Sequence, residues 1–213
     1  MQPIKTSEHA TVCGMTGTGK SYLAAAYLAG FPKVVKHDTK GEAPILLAKG
    51  ENPWPQVHPK ELTIVYKLED LINYADELSP YTIYSPGHEE LDPYIYDAFY
   101  EWCYYQRRQT VWVDEVLEVL ENPSKILKWY KGILTRGRFF DVALWQCTQR
   151  PLGLPAMCIA QSTHVFAFNM QMDQDREKVA KVTGVKEFLE KPDGHNFWYW
   201  RSGWQNAQLG VIS

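Results

Sequence analysis

The chain alternates short apolar runs with longer segments of helical composition. An apolar run bounded by turn residues is typical of a buried strand, whereas apolar residues spaced three and four apart are typical of a helix. Strands are predicted at residues 9–13, 33–38, 62–66, 81–84, 110–113, 141–149 and 164–168. Helices are predicted at residues 21–31, 68–78, 92–108, 124–134 and 173–184. This alternation favours a three-layer α/β fold around a mostly parallel sheet.

Local signals refine three parts of this pattern. Asp92 followed by Pro93 is typical of a helix start, because the aspartate caps the first turn and proline fits the first helical position. Residues 41–59 are rich in proline and glycine, with Trp54 between two prolines, and are predicted to form a surface connection. Residues 192–204 combine a turn with an aromatic strand, which predicts antiparallel additions near the C-terminus.

Composition is that of an ordinary globular protein. The 213 residues, 45% of them hydrophobic and 22% charged, suffice for one α/β core, so residues 1–213 are predicted to form a single domain. The four cysteines form no CxxC pair, which argues against a zinc ribbon or a disulfide framework and predicts reduced, mostly buried thiols. No signal peptide and no apolar stretch of membrane-spanning length occurs, so a soluble protein is expected. Because the formal charge is -3, any contact with nucleic acid requires a local basic surface.

A glycine-rich segment lies between the first predicted strand and the first predicted helix. Residues 14–21, GMTGTGKS, match the phosphate-loop pattern GxxxxGK[ST] in full and in the expected context. In such a loop, backbone N–H groups surround the phosphates, a lysine reaches the terminal phosphates and a hydroxyl ligates Mg²⁺. The predicted nucleotide-binding residues are Gly14, Met15, Thr16, Gly17, Thr18, Gly19, Lys20 and Ser21, and Ser21 is also a predicted metal ligand. The expected cofactors are therefore ATP and Mg²⁺.

Two carboxylates end another buried strand. Asp114 and Glu115 follow TVWV at residues 110–113, and this strand is expected to lie beside the phosphate loop in the sheet. Asp114 is predicted to hold the hydration shell of Mg²⁺, and Glu115 to accept a proton from an attacking water. A carboxylate pair in this position favours hydrolysis of the nucleotide.

A third strand end carries an amide. Gln149 closes the predicted strand at residues 141–149, where open α/β sheets bind ligands. It is predicted to orient the lytic water or to bond the γ-phosphate. A glutamine that merely caps the strand fits the same sequence equally well.

Residues 124–140 contain basic side chains and no acid. The lysines at positions 125, 128 and 131 share one side of the predicted helix. A solvated face, a DNA-facing surface in a ring channel or an inter-subunit edge accounts for them. Arg136 and Arg138 are predicted catalytic residues, because an arginine inserted into a neighbouring subunit's ATP site stabilises the charge of the transition state. Arg150 is a third candidate, and the sequence does not choose among the three.

These motifs together resemble a known family. GMTGTGKS, the strand that ends in HDTKGE, VWVDE, TRGRFF and TQRP, in this order and at these intervals, resemble the FtsK/HerA superfamily of DNA-pumping ATPases over residues 9–168. Within that superfamily, the short chain resembles the genome-packaging ATPases of tailless icosahedral viruses with an internal membrane. The resemblance implies a RecA-like P-loop NTPase core in a hexameric ring that hydrolyses ATP and translocates double-stranded DNA.

The resemblance also implies roles, partners and a location. Carried over by motif, Lys20 and Ser21 hold nucleotide and Mg²⁺, Asp114 coordinates the metal through water, Glu115 is the base and Gln149 is the sensor. The expected partners are double-stranded DNA, further copies of the chain, and a capsid or membrane-vertex protein, without direct membrane insertion. The expected location is the host cytoplasm or the virion vertex.

Three other functions fit parts of the sequence. A filamentous-phage assembly ATPase of the zonula-occludens-toxin type shares the nucleotide core, but such proteins typically carry a membrane-spanning helix. A small-molecule kinase shares the phosphate loop, but it requires an acceptor site and an arginine-rich lid. A nucleotide-dependent switch predicts very slow hydrolysis, and no NKxD motif supports a GTPase.

Overall fold

The computed structural model describes residues 3–120 and 122–212. Within these ranges nine strands form one sheet, in the order β3-β4-β2-β5-β6-β1-β7-β8-β9. The strands are β1 (Ala10–Cys13), β2 (Val34–His37), β3 (Leu62–Val65), β4 (Tyr81–Tyr84), β5 (Gln109–Val113), β6 (Val142–Thr148), β7 (His164–Ala167), β8 (Asn196–Arg201) and β9 (Gln208–Val211). The helices are α1 (Lys20–Leu28), α2 (Glu42–Ala48), α3 (Leu68–Asn73), α4 (Pro93–Gln106), α5 (Lys128–Arg136), α6 (Ala156–Ala160) and α7 (Asp173–Thr183).

The direction of the strands confirms the predicted fold class. Strands β1 to β7 pair in parallel with one another. Strand β8 pairs antiparallel with β7, and β9 pairs antiparallel with β8. The aromatic segment near the C-terminus is therefore the antiparallel addition that the sequence predicts, and with β9 it forms a hairpin. Because the central strands run in parallel, the ends of β1, β5 and β6 meet at one edge of the sheet.

The order of the central strands differs from the expected one. β6 pairs with β1 on one side and with β5 on the other. The strand that ends before Asp114 is therefore separated from the phosphate-loop strand by β6, instead of lying beside it. The spacing of strands along the sequence does not reveal this insertion. It shows that β6 follows β5, but not that β6 also pairs with β1. As a consequence, Gln149 lies between the loop and the acidic strand end.

The core lies on both faces of the sheet and uses most of the large aromatic side chains. Along β5, Val111 and Val113 pack into one apolar cluster and Trp112 packs into another, as expected when successive side chains point to opposite faces. The first cluster lies against α4 and α5, and the second lies against α1. Among the described residues, the large fully buried side chains include Trp54, Trp145, Tyr84, Tyr100, Tyr130 and Phe99.

The prediction of a surface connection at residues 41–59 is wrong. Residues Glu42–Ala48 form α2, and Trp54 is fully buried. The Trp54 indole packs edge-on against Trp112 of β5, and its Nε1–H donates a hydrogen bond to Ala25 O at 3.1 Å. The prolines around Trp54 fix a turn that carries the indole inward, so the segment closes one face of the core.

Helix boundaries agree with the sequence in part. α4 begins at Pro93 as predicted, and the Asp92 carboxylate accepts a hydrogen bond from Tyr94 N–H at 2.7 Å. α3 ends at Asn73, several residues earlier than expected. α5 begins at Lys128 instead of residue 124, because Lys125 pairs with Asn122 in an isolated β-bridge. The basic face predicted on this helix therefore contains two lysines instead of three.

The state of the cysteines and the membrane-spanning capacity of the helices are two further features of the fold. The four cysteines are free and buried, which confirms the prediction of reduced thiols. Among residues 3–120 and 122–212, no helix has the length and apolar character needed to cross a membrane.

Candidate functional site

The phosphate loop connects the end of β1 at Cys13 to the start of α1 at Lys20. Two of its glycines are required by close contacts as well as by a positive φ. At Gly14, with φ of 151°, an added Cβ would lie 2.5 Å from Phe168 Cβ. At Gly19, with φ of 104°, it would lie 2.6 Å from Ile212 Cδ1. Glycine therefore lets the loop pack against the segments that follow β7 and β9.

The Lys20 side chain is folded into the loop. Its Nζ donates a hydrogen bond to Met15 O at 2.8 Å, and the Thr18 hydroxyl donates to the same carbonyl oxygen at 2.8 Å. Burial lowers the pKa of Lys20, and the negative charge of nearby Glu115 offsets part of that shift. A buried ammonium that shares one neutral acceptor is poorly compensated, so a phosphate would be a favourable further partner.

A cleft of about 290 Å³ opens over the loop. Its lining combines the loop, the start of α1, two charged residues from the segment after β2, and the end of β6. The lining residues are Thr16, Gly17, Gly19, Lys20, Ser21, Tyr22, Lys40, Glu42 and Gln149. The loop residues and Gln149 are predicted from the sequence, whereas Lys40 and Glu42 are not. The HDTKGE motif is a signal for these two residues, because it follows β2, which ends at the same edge of the sheet as β1.

Asp114 is buried and held in one orientation. Its Oδ1 accepts hydrogen bonds from the Thr39 backbone N–H at 3.1 Å and from the Thr39 hydroxyl at 2.7 Å. Its Oδ2 lies 3.7 Å from Lys36 Nζ and has no hydrogen-bond partner among the described residues. Burial raises the pKa of Asp114 to about 6; the Lys36 ammonium opposes this shift and Asp38 adds to it. One oxygen is thus fixed, and the other remains available for a further hydrogen bond.

Lys36 is the buried cation that joins two carboxylates at this edge. Its Nζ lies 3.9 Å from Asp38 Oδ1 and 4.8 Å from the centre of the Trp112 ring. Asp38 also accepts hydrogen bonds from the first backbone N–H groups of α2, which are those of Glu42 and Ala43. Burial raises the pKa of Asp38, but Lys36 and these hydrogen bonds outweigh it, so the pKa lies below its usual range. The network fixes the start of α2 relative to Asp114.

Glu115 faces the end of β6 and connects through it to the loop. Its Oε2 accepts a hydrogen bond from Gln149 N–H at 3.2 Å. The Gln149 side-chain oxygen in turn accepts a hydrogen bond from the Thr16 hydroxyl at 2.9 Å. The other carboxylate oxygen, Oε1, is buried without a hydrogen-bond partner among the described residues. Because an unpaired buried oxygen costs free energy, a water or ligand donor at this position would be stabilising.

The oxygen donors of the site fit a magnesium ion. Mg²⁺ prefers hard oxygen ligands and usually binds one or two protein groups together with phosphate oxygens and waters. The Ser21 hydroxyl at the start of α1 is a donor of this kind, and so is Asp114 Oδ2, which has an ion pair with Lys36 but no hydrogen bond among the described residues. In residues 3–120 and 122–212, no group of three or more His, Cys, Asp or Glu side chains could hold a metal ion. A magnesium ion here would therefore depend on the nucleotide for part of its coordination.

Arg136 and Arg138 lie at the opposite edge of the sheet. Arg136 ends α5 and is exposed, and Arg138 donates a hydrogen bond from Nη2 to Thr163 Oγ1 at 2.6 Å, just before β7 begins. Since β6 spans Val142–Thr148, its rise separates this edge from the loop by about 20 Å. Neither arginine can reach the cleft of its own chain.

Two further arginines join this edge, and sequence analysis missed them. Arg107 and Arg108 precede β5, both with positive φ, and both are exposed. Arg108 N–H donates to Phe140 O at 2.9 Å, and the Arg107 guanidinium lies 4.9 Å from the centre of the Phe140 ring. No local sequence signal connects these residues with Arg138, because the pairing of β5 with β6 brings them together. We refer to Arg107, Arg108, Arg136 and Arg138 as the arginine edge.

Arg150 occupies a different place from the other two candidates. It follows β6 at the loop edge, and its Nε donates to Asp175 Oδ2 at 2.8 Å. Asp175 is buried and also accepts a hydrogen bond from Leu152 N–H at 2.9 Å. This ion pair borders a second cavity of about 340 Å³, next to Met15 and Thr16. Arg150 is thus paired within its own chain and lies near its own phosphate loop.

The C-terminal hairpin closes over the phosphate loop from the other side. The His195 Nδ1 lies 3.2 Å from Thr18 O, within hydrogen-bond distance. The backbone N–H of Ile212 donates to His195 O at 3.4 Å, which ties the end of β9 to the same place. No local sequence pattern predicts this contact, because it joins residues at opposite ends of the chain.

Comparison with known proteins gives relatives by fold. No protein-family model matches the chain, and no curated protein matches it by sequence. In three dimensions it is similar to B204, the DNA-packaging ATPase from Sulfolobus Turreted Icosahedral Virus, with a TM-score of 0.73, 15% identity, and 100% of each chain covered. It is also similar to the cytoplasmic domain of the type VII secretion ATPase EccC from Thermomonospora curvata, with a TM-score of 0.61 and 18% identity over 96% of this chain and 25% of that one.

A third similar structure is the N-terminal domain of zonular occludens toxin from Neisseria meningitidis. Its TM-score is 0.52, with 14% identity over 97% of this chain and 93% of that one. The first two of these similar structures are ATPases. At these identities the likeness establishes the fold alone, so the chain has the P-loop NTPase fold of these structures.

Proposed function

We propose that the chain is an ATPase that couples hydrolysis of ATP to translocation of double-stranded DNA, as the motor that packages a viral genome. One observation carries the hydrolytic part. The Glu115 carboxylate, with a free buried oxygen, is bonded to Gln149, and Gln149 is bonded to Thr16 of the phosphate loop. An acid that is joined to the loop in this way is suited to activating water next to a bound triphosphate.

The loop residues bind the nucleotide in this proposal. Residues Gly14 to Ser21 surround the phosphates with backbone N–H groups, and Lys20 exchanges its hydrogen bond to Met15 O for the phosphate oxygens. The genome packaging NTPase B204 from Sulfolobus turreted icosahedral virus 2 has been solved in complex with AMPPCP and with ATP-gammaS, and these structures match this chain at TM-scores of 0.72 and 0.73. They support binding of a nucleotide by this fold.

The acids and the amide at the strand ends act on the reacting groups. Glu115 takes the proton of the attacking water, and Gln149 positions that water or bonds the γ-phosphate. Ser21 and Asp114 would hold Mg²⁺, which supplies charge neutralisation at the phosphates when bound. Because Gln149 N–H holds Glu115 Oε2, a shift of Gln149 changes the position of the base. This hydrogen bond links the state of the nucleotide to β6.

The arginine edge supplies the partner residue in a ring. Arg136 and Arg138 cannot act on their own cleft, so an arginine finger from this edge requires a second copy of the chain. A homo-oligomeric ring, hexameric in the proposal, would place the arginine edge of one subunit at the loop edge of the next. Because the chain has a formal net charge of -3, contact with DNA requires a local basic surface. The arginine edge is a surface of this kind.

The proposal extends to partners and to location. Double-stranded DNA would pass through the ring, and a capsid or membrane-vertex protein would hold the ring at the site of packaging. The motor would work in the host cytoplasm or at the virion vertex. The similarity to the DNA-packaging ATPase B204 over the full length of both chains supports this choice.

A second candidate function is assembly of a filamentous phage. The fold likeness to the zonular occludens toxin domain favours it, since that likeness covers 93% of the domain. The TM-score is lower than for B204, at 0.52 against 0.73, so DNA packaging is preferred. Movement of double-stranded DNA by the purified protein would separate the two.

Glu115→Gln tests the hydrolytic part. We expect wild type to release ADP and phosphate without any added acceptor, which a kinase would not do. Glu115→Gln should bind ATP as tightly as wild type and lose about 10²–10⁴-fold in turnover, because the amide cannot accept the proton. The exposed Glu118→Gln, three residues away, is the matched control and should keep full turnover. Unchanged turnover in Glu115→Gln would remove Glu115 from the role of base.

A further inference from the structure

An apolar groove runs along α1, next to the cleft over the phosphate loop. Its volume is about 300 Å³. One wall is a face of α1, and the other wall is the C-terminal hairpin with the residue that follows β9. The lining residues are Tyr22, Leu23, Ala26, Tyr27, Phe197, Val211 and Ile212. All of them are apolar or aromatic, and none carries a charge. We refer to this site as the α1 groove.

The α1 groove borders the cleft. Tyr22 lines both of them, and it directly follows Ser21 in the chain. On the other wall, Ile212 of the groove packs against Gly19 of the cleft, since a Cβ added at Gly19 would lie 2.6 Å from Ile212 Cδ1. A nucleotide whose phosphates fill the cleft therefore has the groove as a neighbouring site, next to Tyr22.

The hydrolytic end of the cleft sets the direction of a bound nucleotide. The γ-phosphate must lie near Glu115 and Gln149, because water attacks there. The cavity beside Gln149 lies at this same end and is bordered by the ion pair of Arg150 and Asp175. The nucleoside must then leave toward the other end of the loop. The α1 groove is the apolar site at that end.

We propose that the α1 groove holds the nucleobase, stacked on the Tyr22 ring and covered by Val211 and Ile212. This inference rests on the proposed function, since it names the part of the site that receives the nucleoside. Tyr22 is 52% exposed and Val211 is 67% exposed, so both walls have apolar surface that a base would bury. An aromatic ring beside a base provides stacking contact of the kind that single-stranded nucleic acid uses on proteins.

The chemistry of the groove predicts which bases it accepts. A pocket that bonds the polar edge of a base rejects other bases strongly, whereas an apolar pocket discriminates weakly between rings of similar size. The side chains of the lining are two tyrosines and otherwise hydrocarbon or phenyl groups, without a charge or an amide. Adenine and guanine should therefore bind within a few-fold of each other, and the smaller pyrimidines should bind more weakly because they stack over less area.

The test compares nucleotide binding with binding of the phosphates alone. The probes are non-hydrolysable analogues of ATP, GTP and CTP, together with inorganic tripolyphosphate, measured calorimetrically with Mg²⁺ on the full chain. We expect Tyr22→Ala to bind the ATP analogue about tenfold more weakly, whereas its affinity for tripolyphosphate stays within about twofold of wild type. Tyr22→Phe should retain wild-type affinity for both probes, because it keeps the ring. Val211→Ala, on the opposite wall, should show a smaller loss in the same direction.

The controls and contrary outcomes separate this inference from the proposed function. Tyr94→Ala removes an exposed tyrosine on α4 and should leave every affinity unchanged. If wild type binds the ATP analogue and Tyr22→Ala binds it equally well, the base lies elsewhere, and the nucleotide site itself stands. A wild-type preference for ATP over GTP of about a hundredfold or more would also overturn the groove, because that selectivity requires polar readout. If wild type binds neither tripolyphosphate nor any analogue, the proposed function fails together with the groove.

Discussion

The two edges of the central sheet differ in how their polar groups are satisfied. At the loop edge, several buried groups can form further hydrogen bonds. Lys20 and the Thr18 hydroxyl donate to the same carbonyl oxygen, and Asp114 and Glu115 each keep an oxygen without a hydrogen bond. At the arginine edge, the charged groups are exposed, and Arg138 has its hydrogen bond to Thr163. A buried group without a partner costs stability, whereas an exposed one is solvated by water.

This difference indicates what each edge is built to bind. The loop edge is incomplete in its own chain and is completed by a ligand that carries both negative charge and hydrogen-bond donors, such as hydrated magnesium nucleotide. The arginine edge is stable without a partner and presents positive charge outward, which suits a surface that meets a second molecule. The sheet separates the two edges by about 20 Å, so one chain cannot use both on a single nucleotide.

The largest effect is expected from Lys20→Ala at the loop edge. The ammonium is the buried cation of the loop, and removing it should abolish detectable nucleotide binding, because the phosphates lose their main opposite charge. Direct binding of labelled ATP measures this. Lys60→Ala, an exposed lysine before β3, is the control and should bind as wild type does. Retained affinity in Lys20→Ala would contradict the assignment of the loop.

The next largest effect is expected from Arg138→Ala at the arginine edge. Nucleotide binding should persist, and turnover should fall about 10³-fold or more if this arginine completes a neighbour's site. Steady-state phosphate release measures the loss. Arg136→Ala, assayed in parallel, decides which of the two residues is the finger. Arg108→Ala is the control from the same edge, and it should keep most of the activity.

Mixing two inactive variants tests whether the arginine edge of one subunit acts on the loop edge of the next. A Lys20→Ala chain has no working loop but retains Arg138, and an Arg138→Ala chain has the reverse defect. In mixed rings, the arginine edge of the first serves the loop edge of the second, so phosphate release should recover partly on mixing. Activity that stays at the sum of the two separate variants would reject an arginine supplied by a neighbour.

A smaller effect concerns pH, since buried histidines lie at both edges. His9 lies before β1 near Arg138, and burial lowers its pKa to about 4; His37 ends β2, and burial lowers its pKa to about 3. Both pKa values lie below the ordinary 6.5, so the neutral forms stabilise the fold above pH 6.5. That stability is lost as the pH falls through about 4 for His9 and about 3 for His37.

Between pH 6.5 and the folded-state pKa of each histidine, the unfolding free energy should thus decrease by up to about 1.4 kcal/mol per pH unit for that histidine. Denaturant titrations at several pH values measure this slope. His9→Gln and His37→Gln should each reduce it, and exposed His88→Gln is the matched control. A slope that neither substitution changes would show that these histidines are not buried in their neutral form.

Sequence reasoning succeeded where the signal is local. The fold class, the loop between β1 and α1, and the aromatic strand β8 all follow from short patterns of apolar and turn residues. The start of α4 at Pro93 follows from a cap that involves neighbouring residues alone. The roles assigned to Lys20, Glu115 and Gln149 remain predictions, although the structure brings the last two into direct hydrogen-bond contact.

It failed where the outcome depends on contacts between distant parts of the chain. Trp54 was assigned to the surface because of its prolines, but the space beside Trp112 and α1 buries it. The insertion of β6 between β1 and β5 reflects sheet pairing, which strand spacing does not encode. The arginine edge and the contact of His195 with Thr18 are likewise tertiary, so no local pattern revealed them.

The most direct test of the account is a translocation assay on double-stranded DNA. Linear duplex DNA with a third strand annealed near one end is incubated with the purified protein and ATP, and release of the third strand is followed over time. We expect wild type to release the third strand with ATP and not with a non-hydrolysable analogue. Glu115→Gln should fail to release it with either nucleotide. ATP hydrolysis by wild type at full rate without any strand release, and without a response to the duplex, would contradict a DNA motor.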